Sequence, residues 1–158
     1  MRPTLSTKKL AAVKANPKVD SYSRFLSSID PIIIALVQES FRIDRLKYLK
    51  SEHEVINARI ESTLIKLGKD AFDVRSSLIL KARNASEVKS LIDFLAVYEL
   101  HFHGNWITES NVKRFISSEL RIVIWPYFRE LVNNATGRMH VPPIILPVSS
   151  RIEGKKTR

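Results

Sequence analysis

Apolar residues recur at every second position over long stretches in the middle of the chain. The clearest is "FDVRSSLILKAR". Phe72, Val74, Leu78, Leu80 and Ala82 face one way, and Asp73, Arg75, Ser77, Lys81 and Arg83 face the other, which is the period of a half-buried strand. "VINARIESTLIKLG" likewise sets Ile56, Ala58 and Ile60 against Asn57, Arg59 and Glu61. "VKSLIDFLAVYELHFHG" puts Ile92, Phe94, Ala96, Tyr98, Leu100 and Phe102 on one face; its other row is mixed, with Leu91, Leu95 and Val97 preceding Glu99, His101 and His103. "FRIDRLKYL" alternates at Phe41 and Ile43, then shifts parity to Leu46 and Tyr48. The shift predicts a further strand with a bulge or twist near Arg45. With "ARNASE" as a turn or short helix, these stretches predict an antiparallel meander of about four long strands.

After Gly104-Asn105 the period becomes that of a helix. Val112, Phe115, Ile116, Leu120, Val123, Tyr127 and Leu131 follow three- and four-residue steps. Thr108 or Ser110 is placed to cap the start, and Gly137 to end the run in a left-handed conformation. Pro126 lacks a backbone donor, which predicts a kinked helix or two consecutive pieces. Upstream, "DSYSRFLSSIDPIIIALVQES" reads as a helix on either side of Pro31, with Asp30 capping the second. The expected class is α+β, an antiparallel sheet followed by helix. The expected domain is residues 29–150, behind an amino-terminal arm (1–28, helical in part or disordered) and ahead of a disordered tail (151–158).

Charge narrows the choice of partner. The 158 residues carry a net charge of +10. Residues 1–28 hold six basic residues against one acidic, and residues 151–158 hold four against one. The intervening 122 positions hold sixteen against fourteen. The body is nearly balanced, so nucleic acid is not an expected partner. A small basic nucleic-acid-binding module remains the alternative from another class. The longest apolar run, Ile32–Val37, is far too short to cross a bilayer. With no cysteine anywhere, a cytoplasmic protein without disulfides is expected.

No enzymatic signature emerges. The four glycines form no phosphate-binding loop, and no serine sits in a nucleophile elbow. Asp70 with Asp73, and Glu52 with Glu54, read as solvated charge in turns. Glu99, His101 and His103 share a strand face, but same-face neighbours about 7 Å apart splay rather than surround an ion. Neither an enzyme, a metal nor a cofactor is expected.

One late stretch carries a resemblance. "WPYFRELVNNATGRMHVPPIILPV" resembles the late helix and following segment of the SecB family of export chaperones. That family shows an aromatic-Pro-Tyr/Phe, then Arg-Glu within an apolar helix. A Gly/Arg stop and a proline-bracketed segment leading to Leu-x-Pro-Val follow. Pro126, Tyr127, Arg129 and Glu130 match residue for residue. Gly137 and Arg138 match in type with the order exchanged, and the closing "ILPV" is one residue shorter. "FRIDRL", Phe41 to Leu46, is similar to the family's first strand. The resemblance spans roughly residues 36–148, with the sheet before the helix.

The resemblance implies an ATP-independent holdase, a homotetramer built as a dimer of dimers, in which Pro126, Tyr127, Arg129, Glu130 and Gly137 belong to the helix that organises the oligomer. The departures bear on the client. The family's acidic sheet surface docks the export motor, whereas this chain is basic and has Lys47 and Lys50 at the first strand. "SSRIEGKKTR" replaces the second carboxy-terminal helix. These differences point away from motor docking and toward SecB-like chaperones of toxin–antitoxin modules, some of them anti-phage systems. The implied client is an antitoxin and, through it, a toxin; general preprotein export is the alternative. Leu46, Tyr48, Leu95, Val97 and Trp125 are the candidate client-binding residues, along grooves between helix and sheet. Tyr48 and Trp125 would be the aromatic anchors. The competing assignment for Trp125 is a core or oligomer residue, and the next candidate surface is the segment from Phe25 to Leu36.

Overall fold

A computed structural model describes residues 20–50, 54–84 and 89–146. The elements in order are α1 (Ser21–Ser28), β1 (Asp30–Ile43), α2 (Arg45–Tyr48), β2 (Glu54–Leu67), β3 (Ala71–Asn84), β4 (Ser90–His103), α3 (Glu109–Ser118) and α4 (Leu120–Arg138). The class is α+β. The four strands form one antiparallel sheet in the order β1-β4-β3-β2. β2, β3 and β4 are the meander, and β1 lies at the opposite edge beside β4.

The alternation read from the sequence sets the layers. Phe72, Val74, Leu78, Leu80 and Ala82 of β3 are buried, as are Ile92, Phe94, Ala96, Tyr98, Leu100 and Phe102 of β4. The helices cover this inner face. Phe102 stacks on Phe72 with ring centroids 4.9 Å apart and meets Phe115 of α3 edge-on at 5.2 Å; Tyr98 meets Phe128 of α4 edge-on at 5.2 Å. Such ring pairs add about 0.5–1.5 kcal/mol each to the burial of their area. The single polar residue in the β3 row, Ser76, is fully buried and hydrogen-bonds Ser62 of β2 across 2.8 Å. Its hydroxyl therefore avoids the penalty of an unpaired buried group.

Four local expectations are corrected. First, Ile32–Val37 is strand, not a helix capped by Asp30. Ile32, Ile33 and Ile34 are β-branched, and Pro31 is tolerated because β1 is an edge strand. Only the piece before Pro31 is helical. Second, β1 ends at Ile43, where a bulge near Arg45 was expected. The Asp44 side chain accepts from the Lys47 N–H at 3.3 Å and caps the helical turn α2, so the parity shift marks a change of element. The irregularities of β1 lie instead between Pro31 and Ile33 and between Leu36 and Gln38.

Third, the late helix is two pieces, but the break falls at Glu119, and Pro126 lies inside α4. Thr108 caps α3 by accepting from Asn111 N–H at 3.2 Å. The break rotates the face that follows it. α4 buries Leu120, Ile124, Trp125, Phe128, Val132, Ala135 and Thr136, while Val123 and Leu131 are half-buried and Tyr127 is exposed. Fourth, Gly137 does not end the helix with a positive φ. His140 takes that role at φ 52°.

α1 packs into the core. Phe25 is fully buried against Phe72 and Phe115, and Tyr22 is buried beside it. Of the arm expected over residues 1–28, the part from Ser21 is thus built into the domain. Residues 1–19, the "ARNASE" turn from Ala85 onward, and the tail lie outside the described residues.

Candidate functional site

The outer face of the sheet carries the mixed row predicted on β4. Leu95 and Val97 are half-buried there, and no helix among the described residues covers them. Across the sheet, Val97 stands between Gln38 of β1 and Ser77 of β3, and Leu95 between Ser40 and Ile79. A shallow hollow of about 530 Å³ holds Leu95 and Ile79 between Arg42, Lys81 and Asp93. A second hollow of about 370 Å³ lies further along β4, with Ile33, Ala35 and Ile65 as apolar walls and Asp73 and His101 among its lining. Val97 lies on the strand between the two. A third hollow, of about 450 Å³, includes Leu46 and shares Arg42 with the first. Leu46 is 74 % exposed. Three of the predicted residues, Leu46, Leu95 and Val97, therefore lie along one connected surface.

The two predicted aromatic anchors are elsewhere. Trp125 is 2 % exposed and Tyr48 is 6 % exposed, both within the hydrophobic core. Trp125 follows Ile124 on the inward side of α4, and Tyr48 donates to the Pro142 carbonyl at 3.5 Å. Neither indole nor phenol is on the surface of the monomer. The rotation of α4 at Glu119 explains the first, and the helical turn α2 the second.

The helix-motif residues form a second surface. Pro126, Arg129 and Glu130 line a hollow of about 410 Å³ with Asn133, Ile144 and Ile145. Ile145 is 83 % exposed between buried Ile144 and Leu146. Gly137 lies at the end of α4, exposed and away from this hollow. Tyr127 is exposed and meets the Tyr98 ring at 6.2 Å. Beside β1, Glu39, Phe41, Ala135 and Met139 form a smaller hollow, spanned by the Arg138–Glu39 ion pair at 2.5 Å. Burial, and then the carboxylates of Glu130 and Glu39, push the Tyr98 phenol up from its usual value.

Sequence reasoning held the segment from Phe25 to Leu36 as the next candidate surface but missed that it runs into an edge strand. Ile32, Ile33, Leu36 and Val37 all present apolar surface at the free edge of the sheet. A run of β-branched residues after a proline was the available signal.

Polar groups on the outer face are largely paired with one another. Glu99 accepts from Arg75 at 2.5 and 3.1 Å, and His101 pairs with Asp73 across the strands. Arg42 and Lys81 both reach Asp93, at 2.7 and 4.0 Å. Glu99, His101 and His103 share the face, but Glu99 turns to Arg75 and His101 to Asp73. Among the described residues, no group of three acidic or histidine side chains is arranged to hold a metal ion.

A four-stranded antiparallel sheet with its helices after it, preceded here by a short packed helix, is the fold of SecB-like chaperones. A solved structure with this fold is Mycobacterium tuberculosis Rv1957, a SecB-like chaperone in complex with a ChAD peptide from the Rv1956 HigA1 antitoxin. It is 20 % identical and superposes with a TM-score of 0.69 over 83 % of this chain and 97 % of that one. A protein of unknown function from Streptococcus agalactiae matches at a TM-score of 0.38 and 12 % identity, over 75 % of this chain and 96 % of that one. No family model and no curated protein matches the sequence.

Proposed function

We propose that this protein is an ATP-independent chaperone that holds an extended apolar segment of a client, and that the client is an antitoxin of a toxin–antitoxin–chaperone module. The observation that carries the reading is the connected surface of Leu46, Leu95 and Val97. Its apolar side chains, set among Arg42, Lys81 and Asp93, run along β4 with no described helix over them. A strand-like segment laid along it buries side chains at alternate positions, the period at which β4 presents its own. Apolar burial at roughly 25 cal/mol per Å² is non-directional, which suits clients chosen by hydrophobicity and extension. Complex formation between the SecB-like fold and an antitoxin peptide in the mycobacterial protein supports the choice of client.

Assembly belongs to the same proposal. The free edge of β1 and the outward side of α4, where Ile122 and Tyr127 are exposed, are two separate apolar surfaces. Two kinds of contact between copies generate a dimer of dimers. A general export role is the poorer reading, because Glu99 and Asp93 on the outer face are already paired with Arg75 and with Arg42 and Lys81. The anti-phage role is a consequence of the module, in which release of the antitoxin frees a toxin. The chemistry is non-covalent throughout, with neither cofactor nor enzymatic step. No helix among the described residues is long and apolar enough to cross a membrane.

Calorimetric titration of the protein with synthetic segments of an antitoxin encoded beside it tests the client. Binding with a negative heat-capacity change, little altered by salt, is expected. Binding that vanishes between low and physiological salt would replace apolar capture with a charge interaction.

A further inference from the structure

The two hollows that meet at Arg42 carry an excess of positive charge. Arg42, Lys81 and Asp93 stand around Leu95 and Ile79, and Arg42, Asp44, Arg45 and Lys89 stand around Leu46 and Leu91. Four cations thus face two carboxylates, and both carboxylates are occupied. Asp44 accepts from the Lys47 N–H and caps α2. Asp93 is shared: Arg42 reaches one of its oxygens at 2.7 Å and Lys81 the other at 4.0 Å. Arg59, in register with Ile79, is taken by Glu61 at 2.7 Å. Further along β4 the pairing is one to one, Arg75 with Glu99 and His101 with Asp73.

Strand register sets the spacing of these groups. Leu95, Asp93 and Leu91 follow at alternate positions of β4, about 7 Å per step. Ile79 lies opposite Leu95, and Arg42 and Lys81 lie opposite Asp93 on its two sides. Leu46 borders the same hollow as Leu91. The order along the surface is therefore apolar, cationic, apolar: Leu95 with Ile79, then Arg42 and Lys81 about one carboxylate, then Leu46 with Leu91. An extended chain laid on it repeats at the same step, so its alternate side chains fall on these three parts in turn.

We infer that this corner selects client segments in which an acidic residue stands midway between two apolar ones, in the pattern apolar–x–acidic–x–apolar. Resting on the client-capture reading, this names the chemistry of the segment captured. The two apolar side chains fill the Leu95–Ile79 and Leu46–Leu91 ends. The carboxylate between them takes Lys81, whose side chain is 60 % exposed and holds Asp93 only at 4.0 Å. A lysine in that place would meet Arg42 and Lys81, like charges whose shared carboxylate is already in use, and would be rejected. Apolar burial supplies most of the affinity, and the charge supplies the choice among apolar segments. The pattern reads the same in both directions, so it holds for a client strand laid either way along β4.

The test is fluorescence anisotropy of the full-length protein with labelled peptides of about nine residues, about 30 Å when extended. In a serine–threonine host they carry Leu-x-Glu-x-Leu, Leu-x-Gln-x-Leu or Leu-x-Lys-x-Leu. The glutamate peptide should bind about threefold more tightly than the glutamine one, the worth of one exposed ion pair, and the lysine peptide more weakly than either. Raising salt should narrow this preference without abolishing binding. Moving one leucine by a single position turns it to the other face of the strand, and that glutamate peptide should bind several-fold more weakly. In Lys81→Glu the order should reverse, lysine first and glutamate last. The position is exposed, so the fold is kept, as circular dichroism should confirm, and a merely structural lysine would not reverse a preference. Equal binding of the three peptides overturns the inference and leaves apolar capture standing. An unreversed order in Lys81→Glu overturns it too, by placing the preference on other cations. Binding of none overturns it as well, and suppression of client aggregation by the parent then decides separately whether the chaperone reading also falls.

Discussion

Gly137 sits in the last turn of α4 with no positive φ, and a Cβ built on it meets nothing within 4 Å. Glycine is the costly residue there, because it has the most backbone freedom to lose. Gly137→Ala is expected to raise stability by about 0.8–1 kcal/mol, read as a shift of the denaturation midpoint at unchanged slope. A loss instead would mean that the position packs against another copy. The helix stop belongs to His140 and was not legible beforehand, since a histidine at φ 52° has no composition cue, whereas a glycine three residues earlier does. Tyr98 makes a pH prediction at the same scale. Its pKa is raised from 10.0 by burial and by Glu130 and Glu39, so the unfolded chain ionises first. The stabilising contribution is complete below pH 10 and is lost as pH rises through the folded value. Tyr98→Phe should flatten the alkaline arm of the stability profile. An unchanged profile would mean that Tyr98 does not carry it.

At the scale of elements, legibility followed burial. β3 and β4 each alternate between a covered and an uncovered face, so period two survives in residues 72–82 and 92–102. β1 does not alternate, because it lies at an edge with two irregularities in its pairing, and its apolar run was indistinguishable from a helix by period alone. The α3–α4 break was equally silent: Glu119 is an ordinary helical residue in the sequence, and Pro126, the obvious breaker, is accommodated inside α4. α1 yields the test at this scale. Phe25 is fully buried among Phe72, Phe115 and Tyr22, so Phe25→Ala should cost about 3–5 kcal/mol, measured by chemical denaturation. Removal of residues 1–19 should leave the midpoint nearly unchanged. If the truncation instead costs as much as Phe25→Ala, the domain begins earlier than α1.

For the whole molecule, the fold was legible in the sequence, and the exposure of the candidate residues only in part. Leu46, Leu95 and Val97 reached the surface because strand parity and the end of β1 decide their direction. Tyr48 and Trp125 went to the core because elements that the sequence did not reveal, α2 and the rotated α4, decide theirs. The exposed β1 edge and α4 outer side predict an oligomer of even number. Light scattering after size exclusion at micromolar concentration should give a multiple of 18.1 kDa, four being the expected one; a monomer alone would remove the assembly proposal. The central claim is capture of extended apolar segments on the outer sheet face. Its most direct measurement is suppression of aggregation of an unfolded client, without ATP, by the parent protein and by Val97→Asp. Val97 is half-buried on an uncovered face, so the charge is tolerated by the fold, as circular dichroism and oligomer mass should confirm. The account predicts that the parent keeps the client soluble at stoichiometric ratios and that the folded variant does not. Equal protection by both, or none by the parent, would contradict it.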